Sequence, residues 1–395
     1  MRETTKLKML KVLHLASFIG NIGDNANHTG VRLKFKEYLN YEMIYNELEI
    51  RDFYISWKRR FFDQDFVNLV NQYDLLMIGG GNFFDLCIGE SVTGTTLNIS
   101  EDILKKIQTP IIFFGLGCDP YKGATEEIFD KFRKFLDTLI KLDKSFISVR
   151  NDGSIENIKK YIGNEYVKHI RHVPDGGFFT KVTDLYHPEI QKNTKVIAIN
   201  VAGDMPDIRF KPELGDDYST YEGFILGFSK TLNEILQEDK DISIVFVPHI
   251  YKDMKIISEV LENIKDEHRR KRATVAPYLH GSEAHDYIFD IYKKSNLVIG
   301  MRFHTNVCSI AFNVVTIPLA TEHYKIRDLY GELGLKSRIV EISKKGFENS
   351  LNKLIKQSLS EESEIRERYS LVYSNLTEEM RTYCNELNNW LKRFF

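Results

Sequence analysis

The sequence predicts an α/β protein of two Rossmann-like domains facing across a cleft. Three observations carry this: short apolar runs suited to buried parallel strands recur along the chain, helical segments separate them, and the pattern lapses once before restarting. In the first half the runs are Met9 to Leu15, Met43 to Leu48, Leu75 to Ile78, Ile111 to Phe114 and Phe146 to Val149. Between the last two, Glu126 to Leu142 reads as an amphipathic helix. Ile128, Phe132, Phe135, Leu136 and Leu139 share one face, with Lys131, Arg133, Lys134 and Asp137 largely opposite. The lapse runs from Asp184 to Thr194 and places a boundary there, giving an N-terminal domain 1–184 and a C-terminal domain 185–395. The second series is Val196 to Val201, Ile242 to Val247, Thr274 to Ala276, Leu297 to Ile299 and Val315 to Pro318, with a helix over Tyr221 to Leu236. From Gly346 to Phe395 the spacing is helical, and this tail is placed to cross back onto the first domain. Two doubly wound domains with their strand-end loops opposed give the GT-B arrangement.

Composition bounds the function. A chain of 395 residues can bury two cores, and a formal charge of -2 gives no bulk argument for nucleic acid. The basic run Arg269-Arg270-Lys271-Arg272 reads as a solvated helix end or turn. Cys87, Cys118, Cys308 and Cys384 are far apart, so neither a zinc site nor a disulfide framework is suggested. Met1 to Leu10 is polar and basic with no long apolar run after it, which places the protein in the cytoplasm. Trp390, Leu391, Phe394 and Phe395 mix with Lys392 and Arg393. That end either packs on its own protein, the favoured reading, or makes a peripheral membrane contact.

Chemistry is expected where strands end. The strand Leu297 to Ile299 leads into Gly300-Met301-Arg302-Phe303-His304, followed by a helix over Thr305 to Phe312 whose first amides add anion affinity. The plain alternative makes Arg302 an ion-pair partner and His304 a helix cap. After the first strand, Asn21-Ile22-Gly23-Asp24-Asn25 combines a tight-turn glycine with a helix start at Asp24 or Asn25, and either a cap or a ligand loop fits. Gly79-Gly80-Gly81-Asn82 exposes backbone amides but lacks the Gly-Lys-Ser/Thr of a Walker loop and the G-x-G-x-x-G spacing of a dinucleotide site. Gly115-Leu116-Gly117, with Asp119 nearby, is geometrically similar. Ser148-Val149-Arg150 puts a guanidinium at a strand end, to grip carboxylate or phosphate or to pair with Asp152 or Asp24. Val173-Pro174-Asp175 reads as a structural turn. Val247-Pro248-His249 makes His249 a ligand contact, and Glu322-His323-Tyr324-Lys325 follows the next strand. Two arginines, a lysine and up to three histidines on one cleft would repel one another, which suits a small polyanionic ligand. No hydrolase motif of the G-x-S-x-G kind and no metal-ligating carboxylate cluster is present in the sequence.

With these loops in order, the chain resembles the polysaccharide pyruvyltransferase family. The resemblance rests on Asn21-x-Gly23-Asp24, Gly79-Gly80-Gly81, Gly115-x-Gly117, Ser148-x-Arg150, Pro174-Asp175, Pro248-His249, Arg302-x-His304 and Tyr324-Lys325. At one position the chain departs: the family's Asp directly after the Ser-x-Arg arginine is here Asn151, followed by Asp152. The resemblance implies an enzyme that moves the pyruvyl group of phosphoenolpyruvate onto two hydroxyls of a sugar, closing a cyclic ketal. It implies catalytic roles for His304, Arg150 and Lys325, and donor binding by Arg302, Arg150, Lys325 and His249. Asn21, Gly23, Asp24, Gly79, Gly80, Gly81, Asn82 and Asp119 are the acceptor or loop candidates. No cofactor or metal is implied, because phosphoenolpyruvate is a co-substrate. The acceptor is expected to be a glycan with a galactose-type sugar, carried on a polyprenyl diphosphate at the cytoplasmic membrane face. Two alternatives stand beside this reading: a nucleotide-sugar-dependent GT-B glycosyltransferase, and a non-catalytic glycan-binding or scaffold protein.

Overall fold

The computed structural model describes residues 7–281 and 283–395; the N-terminal residues 1–6, read above as part of a polar, basic start, lie outside the described residues. All of the predicted apolar runs form strands, with ends shifted by a residue or two. In chain order these and the strands not foreseen are β1 (Lys8–Ala16), β2 (Tyr41–Glu49), β3 (Leu75–Gly79), β4 (Phe84–Asp85), β5 (Ile111–Leu116), β6 (Cys118–Asp119), β7 (Ser145–Arg150) and β8 (Ile170–Val173). The second series is β9 (Lys195–Asn200), β10 (Ile242–Phe246), β11 (Ala273–Val275), β12 (Leu297–Gly300), β13 (Thr316–Ala320) and β14 (Val340–Glu341).

The strands form two six-stranded parallel sheets, ordered β2-β1-β3-β5-β7-β8 and β11-β10-β9-β12-β13-β14, with β4 and β6 paired separately. Both sheets are doubly wound. Strand order reverses between β1 and β3 in the first and between β9 and β12 in the second, and the carboxyl ends at such points are where open α/β sheets hold ligands. The helix Glu126–Leu142 has its expected bounds. Thr125 caps it by accepting the Ile128 N–H, and Asp143 ends it in the left-handed region at φ 47°.

Two compact units result. Of the described residues, 7–18, 28–176 and 376–395 form the first, and 19–27, 177–281 and 283–375 the second. Where the sequence suggested a boundary at 184/185, the chain changes unit at Gly176–Gly177. The segment up to Leu185 is tied to the helix Ala284–Lys293 by Thr183 Oγ1–Asp286 Oδ2 (2.7 Å) and Leu185 N–Asp290 Oδ2 (2.9 Å). Residues 19–27 join the second unit because Ile22 and Ala26, the first apolar turn of the helix Ile22–Tyr38, are buried with Val196, Ala198, Val298 and Cys308. The final helix, Glu362–Leu391, contributes residues 376–391 to the first unit. There Trp390 packs on Phe146 (centroids 5.5 Å apart) and Phe395 on Tyr41 (6.1 Å). Among the described residues no helix is long and apolar enough to cross a membrane.

Candidate functional site

The candidate residues divide between the units. Arg150, Gly79–Gly81, Asn82 and Asp119 lie in the first, and Asn21, Gly23, Asp24, His249, Arg302, His304 and Lys325 in the second.

In the first unit the strand-end loops after β3, β5 and β7 meet. Gly79 has a φ of +133°, and a Cβ there would lie 2.2 Å from the Phe114 carbonyl oxygen, so both conformation and space require glycine. The Gly117 N–H donates to the Gly81 carbonyl at 2.9 Å, and Asn82 Nδ2 reaches Asp119 Oδ2 at 3.4 Å. A Cβ on Gly117 would lie 2.5 Å from Asn82 Oδ1 and 3.1 Å from both Arg150 and Asp152. Glycine therefore lets these side chains share one small volume.

Arg150 is 4 % exposed; its Nε donates to Asp152 (2.7 Å) and an amino group to Asp175 (3.2 Å). Asn151 Oδ1 accepts the Asp175 N–H at 3.0 Å. The displaced carboxylate of the Ser-x-Arg-Asn-Asp sequence thus still reaches its arginine. Asp119, expected at an acceptor loop, is fully buried, with Lys122 Nζ at 3.4 Å and the Tyr121 N–H at 3.1 Å.

Under these loops, His14 Nε2 donates to the Gly79 carbonyl at 2.7 Å, while Nδ1 accepts from Arg32 at 2.8 Å. Arg32 has no acceptor to offer, which fixes the neutral Nε2–H tautomer. Burial, then the His28 and Arg32 charges, hold His14 well below the usual histidine range.

In the second unit the site lies at the strand-order reversal. The Arg302 N–H donates to Asn200 Oδ1, at the end of β9, at 3.0 Å. Its side chain is held by two carboxylates: Nε to Asp253 Oδ2 at 2.7 Å, one amino group to Asp204 Oδ1 at 2.8 Å, and a further bond to Asp253 Oδ1. Asp253, which starts the helix Asp253–Glu262, also accepts the N–H groups of Gly203, His249 and Ile250 at 3.1, 2.9 and 3.2 Å. Burial works to raise the Asp204 pKa, but the Arg302 and Arg209 charges outweigh it and hold that carboxyl well below the usual range. On Arg302 burial disfavours the charge, and Asp253 and Asp204 more than restore it.

The sequence argument from mutually repelling cations is therefore corrected. Arg150 and Arg302 each carry two carboxylate partners, so their charges are balanced within the protein. Asp204, Arg209, Asp253 and Asp175 were the residues that sequence reasoning left out of the site. The signal available for Asp253 was its place four residues after His249, at a helix start following a strand.

His249, expected to touch the donor, has no exposed surface. Its Nε2 lies 2.8 Å from the Tyr292 hydroxyl and 3.3 Å from Thr305 Oγ1, and burial followed by the Arg302 and His304 charges holds it well below the usual histidine range. It supports the loop from behind. His304 is 5 % exposed and lies in the first turn of the helix Phe303–Ala311, so it is not the cap; Arg302 occupies that position.

The Asn21–Asp24 turn sits against His304. Asn21 Oδ1 accepts the Gly23 N–H at 3.1 Å, making Asn21 the helix-starting residue in place of Asp24 or Asn25. A Cβ on Gly23 would lie 2.4 Å from His304 Nδ1 and 2.7 Å from its Cβ and Cγ. Lys325 opens the helix Lys325–Glu332 after β13, which pairs with β12. Beside it, Glu322 accepts from Ser343 (2.8 Å) and Arg327 (3.0 Å).

The polysaccharide pyruvyl transferase profile matches residues 12–323, taking in every site candidate except Lys325. The chain belongs to that family. No curated protein sequence matches this family member. Solved structures with the same fold include a glycosyltransferase from Rickettsia africae (11 % identity, 98 % of this chain and 99 % of that one, TM-score 0.56). Anabaena HepE, solved with UDP and glucose, matches at 10 % identity over 97 % of this chain and 100 % of its own, with a TM-score of 0.55. A UDP-N-acetylglucosamine 2-epimerase matches at 13 % identity over 92 % and 91 %, with a TM-score of 0.53. At these identities the likeness shows the fold alone. This pyruvyl transferase family member has the two Rossmann-like domains of GT-B glycosyltransferases and related epimerases.

Proposed function

We propose that this polysaccharide pyruvyl transferase takes its pyruvyl group from phosphoenolpyruvate and sets it on two hydroxyls of one glycan sugar as a cyclic ketal. Family membership supports the transfer, and one observation carries the site: the Asn21–Asp24 turn, packed through Gly23, fixes the His304 ring at the strand-order reversal of the second unit.

The donor's methylene carbon is electron-rich, and a proton delivered there by His304 creates an oxocarbenium-like centre at the carbon bearing phosphate and carboxylate. One sugar hydroxyl adds to that centre, phosphate departs with its electron pair, and the second hydroxyl closes the ring. Of the two hydroxyl protons released, one balances the proton now in the methyl group and the other leaves with phosphate. Lys325 and the amides opening the helix Phe303–Ala311 are the groups assigned to the donor's phosphate, and Arg302, held by Asp253 and Asp204, aligns that helix. The reaction needs no metal or cofactor. The acceptor is a surface or capsular glycan of galactose type carried on a polyprenyl diphosphate, which places the protein in the cytoplasm at the membrane face. Nothing beyond the shared fold favours a nucleotide-sugar donor.

The test is acceptor-dependent phosphate release from phosphoenolpyruvate across galactose-, mannose- and glucosamine-terminated glycans, with mass analysis of the acceptor. A pyruvyl mass gain that His304→Ala abolishes is the expected result. Saturable binding of a nucleotide diphosphate sugar, with no phosphoenolpyruvate binding, would overturn the reading.

A further inference from the structure

The loop after β2, residues 54–62, belongs to none of the machinery above. It follows a short 3-10 helix, Ile50–Phe53, and precedes the helix Gln64–Val70. It leaves β2 at the carboxyl end of the first sheet, the end that carries the Gly79–Asn82 and Arg150 loops. Its backbone is closed by its own hydrogen bonds. Trp57 N donates to the Tyr54 carbonyl at 2.9 Å and Arg60 N to the Asp52 carbonyl at 2.9 Å. Lys58 turns the chain in the left-handed region, at φ 53°. Beneath it, Phe53 stacks on Phe62 at 4.5 Å between centroids, and both rings meet Phe66 at 5.4 and 5.0 Å. The loop is thus a preformed knob on an aromatic base.

What it presents is unusual for a solvated surface. Ser56 to Phe61 are all exposed, with Trp57 at 43 % and Phe61 at 60 %. Lys58, Arg59 and Arg60 lie between those two rings. One carboxylate, Asp52, reaches Arg59 at 3.0 Å and Arg60 at 3.9 Å, so two of the three cations share a single partner. Asp63, the next acidic residue, is engaged in capping the helix Gln64–Val70.

We infer that this loop docks the protein on an anionic lipid bilayer, with Trp57 and Phe61 in the headgroup boundary and Lys58, Arg59 and Arg60 on lipid phosphates. Indole and phenyl rings beside basic side chains match the one surface that offers apolar depth and dense negative charge together. An acidic peptide would satisfy the cations but leave both rings in water. The inference stands on this loop alone and does not depend on the pyruvyl reading. It is separate from the C-terminal segment, where Trp390 is 8 % and Phe394 36 % exposed.

The chain has two tryptophans, so in a Trp390→Phe variant fluorescence reports Trp57 alone. Titration with phosphatidylglycerol vesicles should shift its emission to shorter wavelength and carry the protein into the vesicle pellet, while phosphatidylcholine vesicles do neither. Affinity should fall about fivefold for each basic residue removed, so Arg59→Ser with Arg60→Ser loses about 30-fold. Phe61→Ser should weaken pelleting of the otherwise unchanged chain, a readout that needs no tryptophan substitution. Unchanged emission and no pelleting with the anionic vesicles would overturn the inference. Equal binding to both vesicle types, or an emission change with single-stranded oligonucleotide in place of vesicles, would overturn it as well. Since no substrate is present, failure here is separate from failure of the proposed transfer.

Discussion

Alanine at Gly23 sets two effects of opposite sign against each other. Gly23 lies in the first turn of the helix Ile22–Tyr38 without a positive φ, so helix propensity favours alanine by up to about 1 kcal/mol. Against this, the added Cβ would lie 2.4 Å from His304 Nδ1 and 2.7 Å from its Cβ and Cγ. Ordinary heavy-atom contact is about 3.5–4.0 Å, so the ring or the helix start must move by about 1 Å. Overpacking of that size costs about 1–3 kcal/mol. The clash outweighs the propensity gain, and Gly23→Ala should lose up to about 2 kcal/mol, a Tm decrease of up to about 4–8 °C. In a His304→Gly background all three nearest atoms are gone, and the same substitution should be neutral or stabilising by up to about 1 kcal/mol. The assay is a double-mutant cycle of thermal melts on four purified proteins. Equal destabilisation in both backgrounds would refute the reasoning, because the contact with His304 would then not be the cause. Phosphate release should fall about 100-fold in Gly23→Ala alone, the usual cost of a 1 Å misplacement of a reacting group.

Asp253→Asn should lower Tm by roughly 6–12 °C, a loss of about 3 kcal/mol, because it removes a buried charge from Arg302 while keeping the shape; a melt within a degree of wild type would show that Asp204 suffices. Arg150→Ala should destabilise by about 3–5 kcal/mol in addition to any loss of turnover, since it strands the buried Asp152 and Asp175; denaturant melts with an unshifted midpoint would count against this pairing. His14 and His249 stay neutral in the fold while the unfolded chain protonates them near pH 6.5, so the unfolded state binds more protons. Stability from these two groups is therefore fully present above pH 6.5 and lost as pH falls below it, by up to about 1.4 kcal/mol per pH unit for each. Melts between pH 7.5 and 5.5 check this, and His249→Gln should flatten the slope.

Strands were legible because parallel strands buried on both faces leave uninterrupted apolar runs such as Ile111 to Phe114. The missed ones lack that signature. β8 is an edge strand reading Ile-Arg-His-Val with a half-exposed middle, and β14 has only two residues. The change of unit was misplaced for a related reason: polarity marks where a pattern stops, but the segment Gly177–Leu185 is placed by hydrogen bonds to Asp286 and Asp290, more than a hundred residues further along the chain. Strand-end positions were legible, since a residue directly after a parallel strand must lie at the sheet's carboxyl edge. Their partners were harder. Asp204 and Asp253 are 98 and 49 positions from Arg302; the helix start after His249 marks Asp253 as a capping position but does not tie it to that arginine.

That difference changes what the arginines can do. A guanidinium with no partner could take the donor's carboxylate as a ready fork, but Arg302 already gives Nε and an amino group to Asp253 and Asp204. Such a pair contributes little net stability after desolvation; it fixes geometry. Here it ties the end of β12 to the start of the helix Asp253–Glu262 and, through Asn200, to β9, so the first turn of the helix carrying His304 is set by two strand ends and a helix start at once. Under the proposed transfer, donor binding would draw on the amides opening that helix and on Lys325, with Arg302 supplying field and alignment. A KM-against-kcat split follows. Lys325→Ala should raise the KM for phosphoenolpyruvate, and Arg302→Lys, which keeps the charge but loses the fork, should lower kcat with KM little changed. A large rise in KM from Arg302→Lys, with kcat intact, would return Arg302 to direct contact with the donor.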